Sequence, residues 1–146
     1  MKRETKRRNN KGFSLVELII VIAIMAILAG ILAPQFIKYI NESRKATDIQ
    51  NAQQMATALS AEFADTERTT AVGTDESPIE VATDGATKWD GSAESSSART
   101  QKDVFGGVPK VKAADVSFKY SVTKEGVVTV KAGDTELYPN VSGDWK

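Results

Sequence analysis

The spacing of apolar and polar positions changes from one stretch of this chain to the next. The first twelve residues are polar and basic, and residues 13–33 form an apolar run interrupted only by Ser14 and Glu17. Apolar residues then recur at helical spacing, and beyond residue 115 they alternate with polar ones, as in a half-buried strand. This order predicts an α+β fold, in which a long N-terminal helix packs on a small antiparallel sheet of three or four strands.

The long helix is predicted to run from about residue 14 to about residue 68. Its first part, residues 13–37, is expected to cross a membrane, because the 21 residues from Phe13 to Ala33 rise about 31 Å in a helix. Residues 38–68 are expected to continue it as an amphipathic helix. The apolar stripe of that continuation consists of Ile49, Ala52, Ala56, Leu59 and Phe63.

Residues 69–146 are predicted to form a globular head. Residues 69–103 are rich in Thr, Ser, Gly and acidic residues, which favours an irregular loop with one short strand at 79–83. Residues 104–146 favour an antiparallel sheet. Its strands are expected at 116–123, 127–131 and 135–138.

Charge separates the first residues from the rest. Residues 1–12, which we expect to be a leader peptide, hold six Lys or Arg and one Glu, a net charge of +5, so the remaining residues carry −5 because the total is zero. The acidic remainder argues against nucleic-acid binding, which requires clustered Lys and Arg. By the positive-inside rule the leader stays in the cytoplasm, and residues beyond about Ile37 lie outside the cytoplasmic membrane.

The residue types present exclude several classes of chemistry. The chain has no cysteine and no histidine, which rules out disulfides, zinc–thiolate sites and most nucleophile–base pairs. The Asp84-Gly85 and Asp90-Gly91 pairs are typical of turns; a calcium-binding turn is the alternative, although their spacing does not match an EF-hand loop. We therefore expect no cofactor, no metal site and no enzymatic activity.

Glu17 is the one carboxylate inside the apolar run. An ionised carboxylate in hydrocarbon costs about 2.5 to 3.5 kcal/mol on insertion scales. Near the start of the span it is able to snorkel to the headgroups. Alternatively, it awaits a positive partner from another chain, such as the α-amino group that Phe13 acquires if the chain is cut after Gly12.

Gly30 and Pro34 weaken the same helical turn. Proline has no N–H to donate and crowds the carbonyl four residues earlier, which belongs to Gly30. An ordinary transmembrane kink is one interpretation. The other is a weak point at which the helix bends or partly unwinds in an assembly.

The sequence Lys11-Gly12-Phe13-Ser14-Leu15-Val16-Glu17, followed by an apolar run with Pro34, resembles the prepilin signal of type IV pilins and their relatives. The resemblance covers about residues 6–45. It implies a pilin-like fold, cleavage between Gly12 and Phe13 by a prepilin peptidase, and N-methylation of Phe13. It also implies that Glu17 sets subunit register during assembly. Pro34, the twenty-second residue counted from Phe13, matches the family, and the lack of cysteine is more like the pilins of Gram-positive bacteria or a secretion-system pseudopilin.

The function that follows is a structural subunit of a type IV pilus. It would begin as a single-pass precursor in the cytoplasmic membrane and end in a helical homo-oligomeric filament at the cell surface. Its partners would be the peptidase, the assembly machinery and further copies of itself. A pseudopilin of a type II secretion or competence system is an alternative, as is an uncleaved anchor that displays a small extracellular binding module.

Overall fold

The computed structural model describes residues 12–66, 70–92 and 97–145. It divides into two units, one ending at Tyr39 and the other spanning Ile40–Lys146, which we call the C-terminal unit. The elements in chain order are α1 (Leu15–Asp65), β1 (Ile79–Glu80), α2 (Gln101–Phe105), β2 (Phe118–Val122), β3 (Val128–Ala132), β4 (Thr135–Tyr138) and a 3-10 turn at Gly143–Trp145.

Helix α1 passes through Pro34 and ends at Asp65, three residues before the predicted end. The expected last residue, Arg68, lies outside the described residues, as does the leader up to Lys11. At the C-terminal end of α1, the Thr66 hydroxyl donates to the Glu62 carbonyl at 2.8 Å, which satisfies a carbonyl of the last turn. The predicted stripe is buried except for Ile49, which is half-buried.

The sheet is a four-stranded antiparallel meander in the order β1-β2-β3-β4. The alternation of Phe118, Tyr120 and Val122 places these three side chains in the core. They join Leu59 and Phe63 of α1 in one hydrophobic cluster. The α+β prediction is therefore confirmed, with four strands.

Within the predicted loop 69–103, the described residues 70–92 and 97–103 are more ordered than we expected. They contain β1, which is shorter than the predicted strand, and a bridge between Lys88 and Thr100. Trp89 is fully buried here, although the sequence around it is polar. The physical reason is that burial of one large indole contributes more favourable free energy than the ordering of its polar neighbours costs.

A buried glutamine ties this stretch to the sheet. The Gln101 side chain accepts a hydrogen bond from the Ala82 amide at 2.8 Å and donates to the Glu80 carbonyl at 2.9 Å. It also donates to the Tyr120 hydroxyl, which in turn donates to the Trp89 carbonyl. Buried polar groups are tolerated when they are paired in this way.

Helix α2 begins with a side-chain cap that the sequence analysis missed. Thr100 accepts a hydrogen bond from the Asp103 amide, and its own hydroxyl donates to the Asp103 carboxylate at 2.6 Å. This bond stabilises the charged form and lowers the pKa of Asp103 below its usual value.

The first predicted sheet strand starts later than expected. Val116 lies before β2 and is 43% exposed, so the alternating pattern becomes a strand only at Phe118. Residues 106–117 instead form a chain of turns and bends with no regular element, which we call the anchored segment.

Candidate processing and assembly segment

The predicted cleavage junction lies immediately before α1. Gly12, Phe13 and Ser14 are exposed and non-helical, and the Phe13 side chain is 85% exposed. The helix starts where the Ser14 carbonyl accepts a hydrogen bond from the Leu18 amide at 3.2 Å. The Gly12–Phe13 peptide bond is therefore outside regular structure, where exposed backbone is more accessible to proteolysis than it is within a helix.

Glu17 lies in the first turn of α1 and is exposed. The unpaired amides of a helix N-terminus create a positive potential that favours a carboxylate at this position. Glu17 therefore has a local electrostatic reason for its placement, in addition to the predicted role in assembly. It is four residues from Phe13, the residue that would carry a new amine after cleavage.

All side chains from Phe13 to Ile37 are exposed. Among the described residues, α1 is the one helix that is long and apolar enough to cross a membrane. An apolar surface of this extent is stable only against lipid or other protein. The segment 13–37 therefore fits a membrane-anchored precursor.

Gly30 and Pro34 lie inside α1 without interrupting it. Because Pro34 has no N–H, the Gly30 carbonyl lacks its usual helical donor. A Cβ added at Gly30 would meet no atom within 4 Å, so close packing within the chain does not require this glycine. The pair remains a predicted weak point.

The five residues singled out from the sequence all belong to this exposed N-terminal segment: Gly12, Phe13, Glu17, Gly30 and Pro34. None of them is in the buried core. Two acidic residues on the C-terminal half of α1, Asp48 and Glu62, are buried and were not predicted from the sequence. Their only sequence signal is that each lies beside or within the apolar stripe, where a charge is costly unless it is paired.

Asp48 holds the anchored segment against α1. Its two carboxylate oxygens accept hydrogen bonds from the Lys112 amide at 2.9 Å, and one also accepts from the Ala113 amide at 2.8 Å. These charge-assisted bonds are stronger than bonds between neutral groups.

Glu62 is paired with Arg99. A guanidinium nitrogen of Arg99 lies 2.8 Å from a carboxylate oxygen of Glu62, and the other terminal nitrogen donates to the Asp103 carbonyl. The arginine thus connects α1 with the chain around α2. Glu62 is nearly buried while Arg99 is half exposed, so solvent screens part of the attraction.

The two Asp-Gly pairs form turns. The Asp84 carboxylate accepts from the Ala86 amide, and the Asp90 carboxylate accepts from the Ser92 amide, both at 3.0 Å. In the part of the chain that the structure describes, no group of three or more acidic residues is arranged to hold a metal ion.

Comparison with known proteins agrees with the N-terminal features. Residues 7–33 match the model of the prokaryotic N-terminal methylation motif. The chain is 41% identical over 59 residues to the type IV major pilin protein PilA of Myxococcus xanthus, an alignment that covers 40% of this chain and 27% of that protein. The resemblance to type IV pilins is confirmed.

Two further relatives show the same restricted similarity. The type IV major fimbrial protein FimA of Dichelobacter nodosus is 47% identical over 49 residues, covering 34% of this chain and 31% of FimA. The prepilin peptidase-dependent protein A of Clostridium perfringens is 49% identical over 49 residues, covering 33% of this chain and 34% of that protein.

The chain thus spans about a third of the length of the curated relatives it matches. No solved structure matches the chain at a comparable level of significance. The relatives are named as pilin, fimbrial and peptidase-dependent proteins and not as enzymes, which agrees with the expectation of a non-enzymatic protein.

Proposed function

We propose that this chain is the precursor of a type IV pilus subunit. The observation that carries the proposal is the exposed apolar segment 13–37, preceded by a non-helical Gly12–Phe13 junction and bearing a single carboxylate, Glu17. The match of residues 7–33 to an N-terminal methylation motif supports it.

The precursor would be stored in the cytoplasmic membrane with its leader inside and residues beyond Ile37 outside. The net charge of +5 on residues 1–12 supports this orientation, because basic flanks are retained in the cytoplasm. A charged leader opposes the passage of the helix end through the membrane. Its removal would therefore be required before the segment is buried in a filament.

Processing would occur at the Gly12–Phe13 bond. A prepilin peptidase would add water to the Gly12 carbonyl, which leaves a carboxylate on Gly12 and a free amine on Phe13. Transfer of a methyl group from a donor to that amine keeps it protonatable and adds bulk. The hydrolysis itself releases the leader peptide, and in the later methyl transfer the donor leaves without its methyl group while the amine gives up one proton.

Assembly would bring the methylated Phe13 amine of one subunit to Glu17 of its neighbour. Each charge is costly in an apolar environment, and each offsets the cost of the other. The axial offset between neighbouring subunits that pairs the two charges is therefore favoured over any offset that leaves Glu17 unpaired. The pair would set register, while apolar contacts along segment 13–37 and the rest of α1 would supply most of the attraction.

The mass of the N-terminus tests the proposal. We expect the chain isolated from the surface of its host to begin at Phe13 with one added methyl group. Surface protein that retains Met1 would contradict the proposal and favour an uncleaved anchor. A chain cut at Phe13 that forms only short assemblies when overproduced with its machinery would instead identify a pseudopilin.

A further inference from the structure

A groove opens in the C-terminal unit where the pairing of β1 with β2 stops. The Val81 amide still donates to the Phe118 carbonyl at 2.9 Å. Two residues further, Thr83 and Val116 would form the next pair in this register, yet they line a cavity of about 250 Å³, which we call the groove. Further lining residues come from the anchored segment: Val108, Pro109, Lys110, Val111 and Asp115.

Both walls of the groove are held by buried polar side chains. Behind Val81, the Gln101 side chain bonds the backbone on either side of it, at 2.9 and 2.8 Å. On the anchored segment, the amides of Lys112 and Ala113 donate to the Asp48 carboxylate. Gln101 is 1% exposed and Asp48 is 0% exposed. The groove is therefore preformed, which lowers the cost of binding a partner there.

The groove carries charges of both signs. Lys110 and Asp115 are exposed lining residues, and within the described residues neither forms a salt bridge. Lys112 and Asp84, which are exposed and adjoin lining residues in sequence, add one charge of each sign. Asp48 adds a buried negative charge behind the amides that it accepts from. Such a balance favours a partner with both signs over a simple anion or cation.

The size of the groove favours side chains of a protein over a whole small molecule. Pockets for small molecules typically enclose roughly 300 to 1,000 Å³, and the groove encloses about 250 Å³. Val81, Val108 and Val116 give it an apolar lining. A loop that presents one small apolar side chain beside two opposite charges would match it.

The turn between β2 and β3 has these features. Lys124 and Glu125 are exposed there and lie 3.7 Å apart, a weak pair because solvent screens it. Val127 is also exposed. Asp75, which lines a cavity with this turn, is already paired with Lys131. We call residues 123–127 the hairpin tip.

Val116 in the groove and Val127 on the hairpin tip share a property. Among the large apolar side chains of the C-terminal unit that the structure describes, these two alone are exposed, at 43% and 55%. They lie at opposite ends of the sheet, because β2 runs from the groove to the tip. The five residues of β2 separate these ends by about 13 Å. Burial of both valines would stabilise a contact between two copies.

We propose that the hairpin tip of one copy binds in the groove of the next copy, with Val127 packed against Val116. The inference deepens the proposed function and rests on it, because a filament supplies the neighbouring copies. Tip and groove are different surfaces, so the contact is heterologous. It therefore repeats from copy to copy in an open chain, as a filament requires.

Two ion pairs accompany this contact: Lys124 with Asp115, and Glu125 with Lys110. Exposed ion pairs change affinity by about fivefold at most. They therefore specify the orientation of the tip in the groove more than the strength of the contact.

The test introduces cysteines at the two valines of the full chain, which has none of its own. Filaments of the Val116→Cys, Val127→Cys double variant are oxidised and run on a denaturing, non-reducing gel. We expect a ladder of dimers, trimers and larger species, since each copy offers one tip and one groove. A disulfide within one copy is excluded, because it needs Cβ atoms within about 4.5 Å.

Matched variants show whether the ladder comes from this contact. Each single-cysteine variant is expected to stay monomeric, because like surfaces do not meet. Ala61→Cys, at an exposed position of α1, replaces Val127→Cys in the control and should give no ladder with Val116→Cys.

Charge exchange tests the orientation. In the double-cysteine chain, Lys110→Glu or Glu125→Lys alone brings like charges together and should lower the initial cross-linking rate about two- to fivefold. The two reversals combined should restore the rate. The same reversals in a chain without cysteine should lower and then restore filament yield, which tests the contact even where the double-cysteine chain does not assemble.

Several outcomes would overturn the inference. Filaments without a ladder, or reversals whose combination restores neither rate nor yield, would show that the tip does not occupy the groove. Dimers from a single-cysteine variant would show that like surfaces meet, and a disulfide from Val116→Cys to another host protein would identify a different occupant. Absence of filaments from the unaltered chain would overturn the proposed function as well, whereas filaments without a ladder would overturn this inference alone.

Discussion

The Asp48 carboxylate accepts hydrogen bonds from the backbone amide of Lys112, 64 positions later in the chain, at 2.9 Å to each oxygen. Asp48 is 0% exposed, so its charge is withdrawn from water and depends on these amides for stabilisation. The bond holds the irregular anchored segment to α1 without any strand or helix in that segment.

Replacement of Asp48 with alanine is expected to lower the free energy of unfolding by about 1 to 3 kcal/mol, because the amides of Lys112 and Ala113 lose their acceptor. Urea unfolding of the detergent-solubilised chain, followed by fluorescence of Trp89 and Trp145, measures the change. The control Asp115→Ala removes an exposed carboxylate and should have almost no effect. Equal stability of the two variants would contradict the role assigned to Asp48.

Stability is expected to fall at alkaline pH because of Tyr120. Burial raises the pKa of this phenol far above its ordinary value of 10.0. Above about pH 10 the unfolded chain releases the Tyr120 proton while the folded chain keeps it, so the stabilisation present below pH 10 is lost as pH rises.

The contribution of Tyr120 is measured by urea unfolding at several pH values above and below 10. Tyr120→Phe should flatten the alkaline decline, although it lowers stability at neutral pH by removing the bond to the Trp89 carbonyl. The control Tyr39→Phe, at an exposed ring, should leave the decline unchanged. A wild-type decline that persists in Tyr120→Phe would assign it to other groups.

Glu17→Leu is expected to insert in the membrane and to be processed, yet to form few or no filaments. The substitution removes the insertion cost of a carboxylate, so membrane content should not decrease. It also removes the partner of the Phe13 amine in the neighbouring subunit. Membrane fractionation and electron microscopy measure the two effects, with Glu42→Leu, an exposed carboxylate further along α1, as the control. Abundant filaments from Glu17→Leu would contradict the register role.

Pro34→Ala is expected to stiffen the assembled filament. The new amide restores a helical donor to the Gly30 carbonyl, which strengthens the turn that otherwise lacks it. Gly30→Ala should also stabilise the helix, by up to about 1 kcal/mol of helix free energy. The structure has room for the added methyl group. Force–extension measurements on single filaments should show elongation at higher force for both variants. Unchanged extensibility would show that the weak point lies elsewhere.

The long helix and the sheet could be predicted because their signals are local. The helix is indicated by an apolar run with no charge except Glu17. The sheet is indicated by the alternation at Phe118, Tyr120 and Val122. Both patterns are set by residues within a few positions of one another. The candidate processing site rests on an equally local pattern of residues. The family match accordingly extends over residues 7–33.

The interior of the C-terminal unit could not be predicted in this way. Gln101 and Trp89 lie in a polar stretch whose composition favours a loop, yet both are buried. Their burial depends on partners distant in sequence, such as Tyr120. A single sequence specifies which groups need hydrogen bonds but does not specify which distant groups supply them.

The sequence by itself therefore determined the long apolar helix, the antiparallel sheet and the Gly12–Phe13 junction with Glu17 beyond it, since each rests on residue order and local periodicity. Tertiary structure alone decided that Asp48 and Glu62 are buried on α1 and that Lys112 lies beside the helix. The physical reason is that burial of a charge is favourable only when chain folding brings donors to it, and those donors lie far away in the chain.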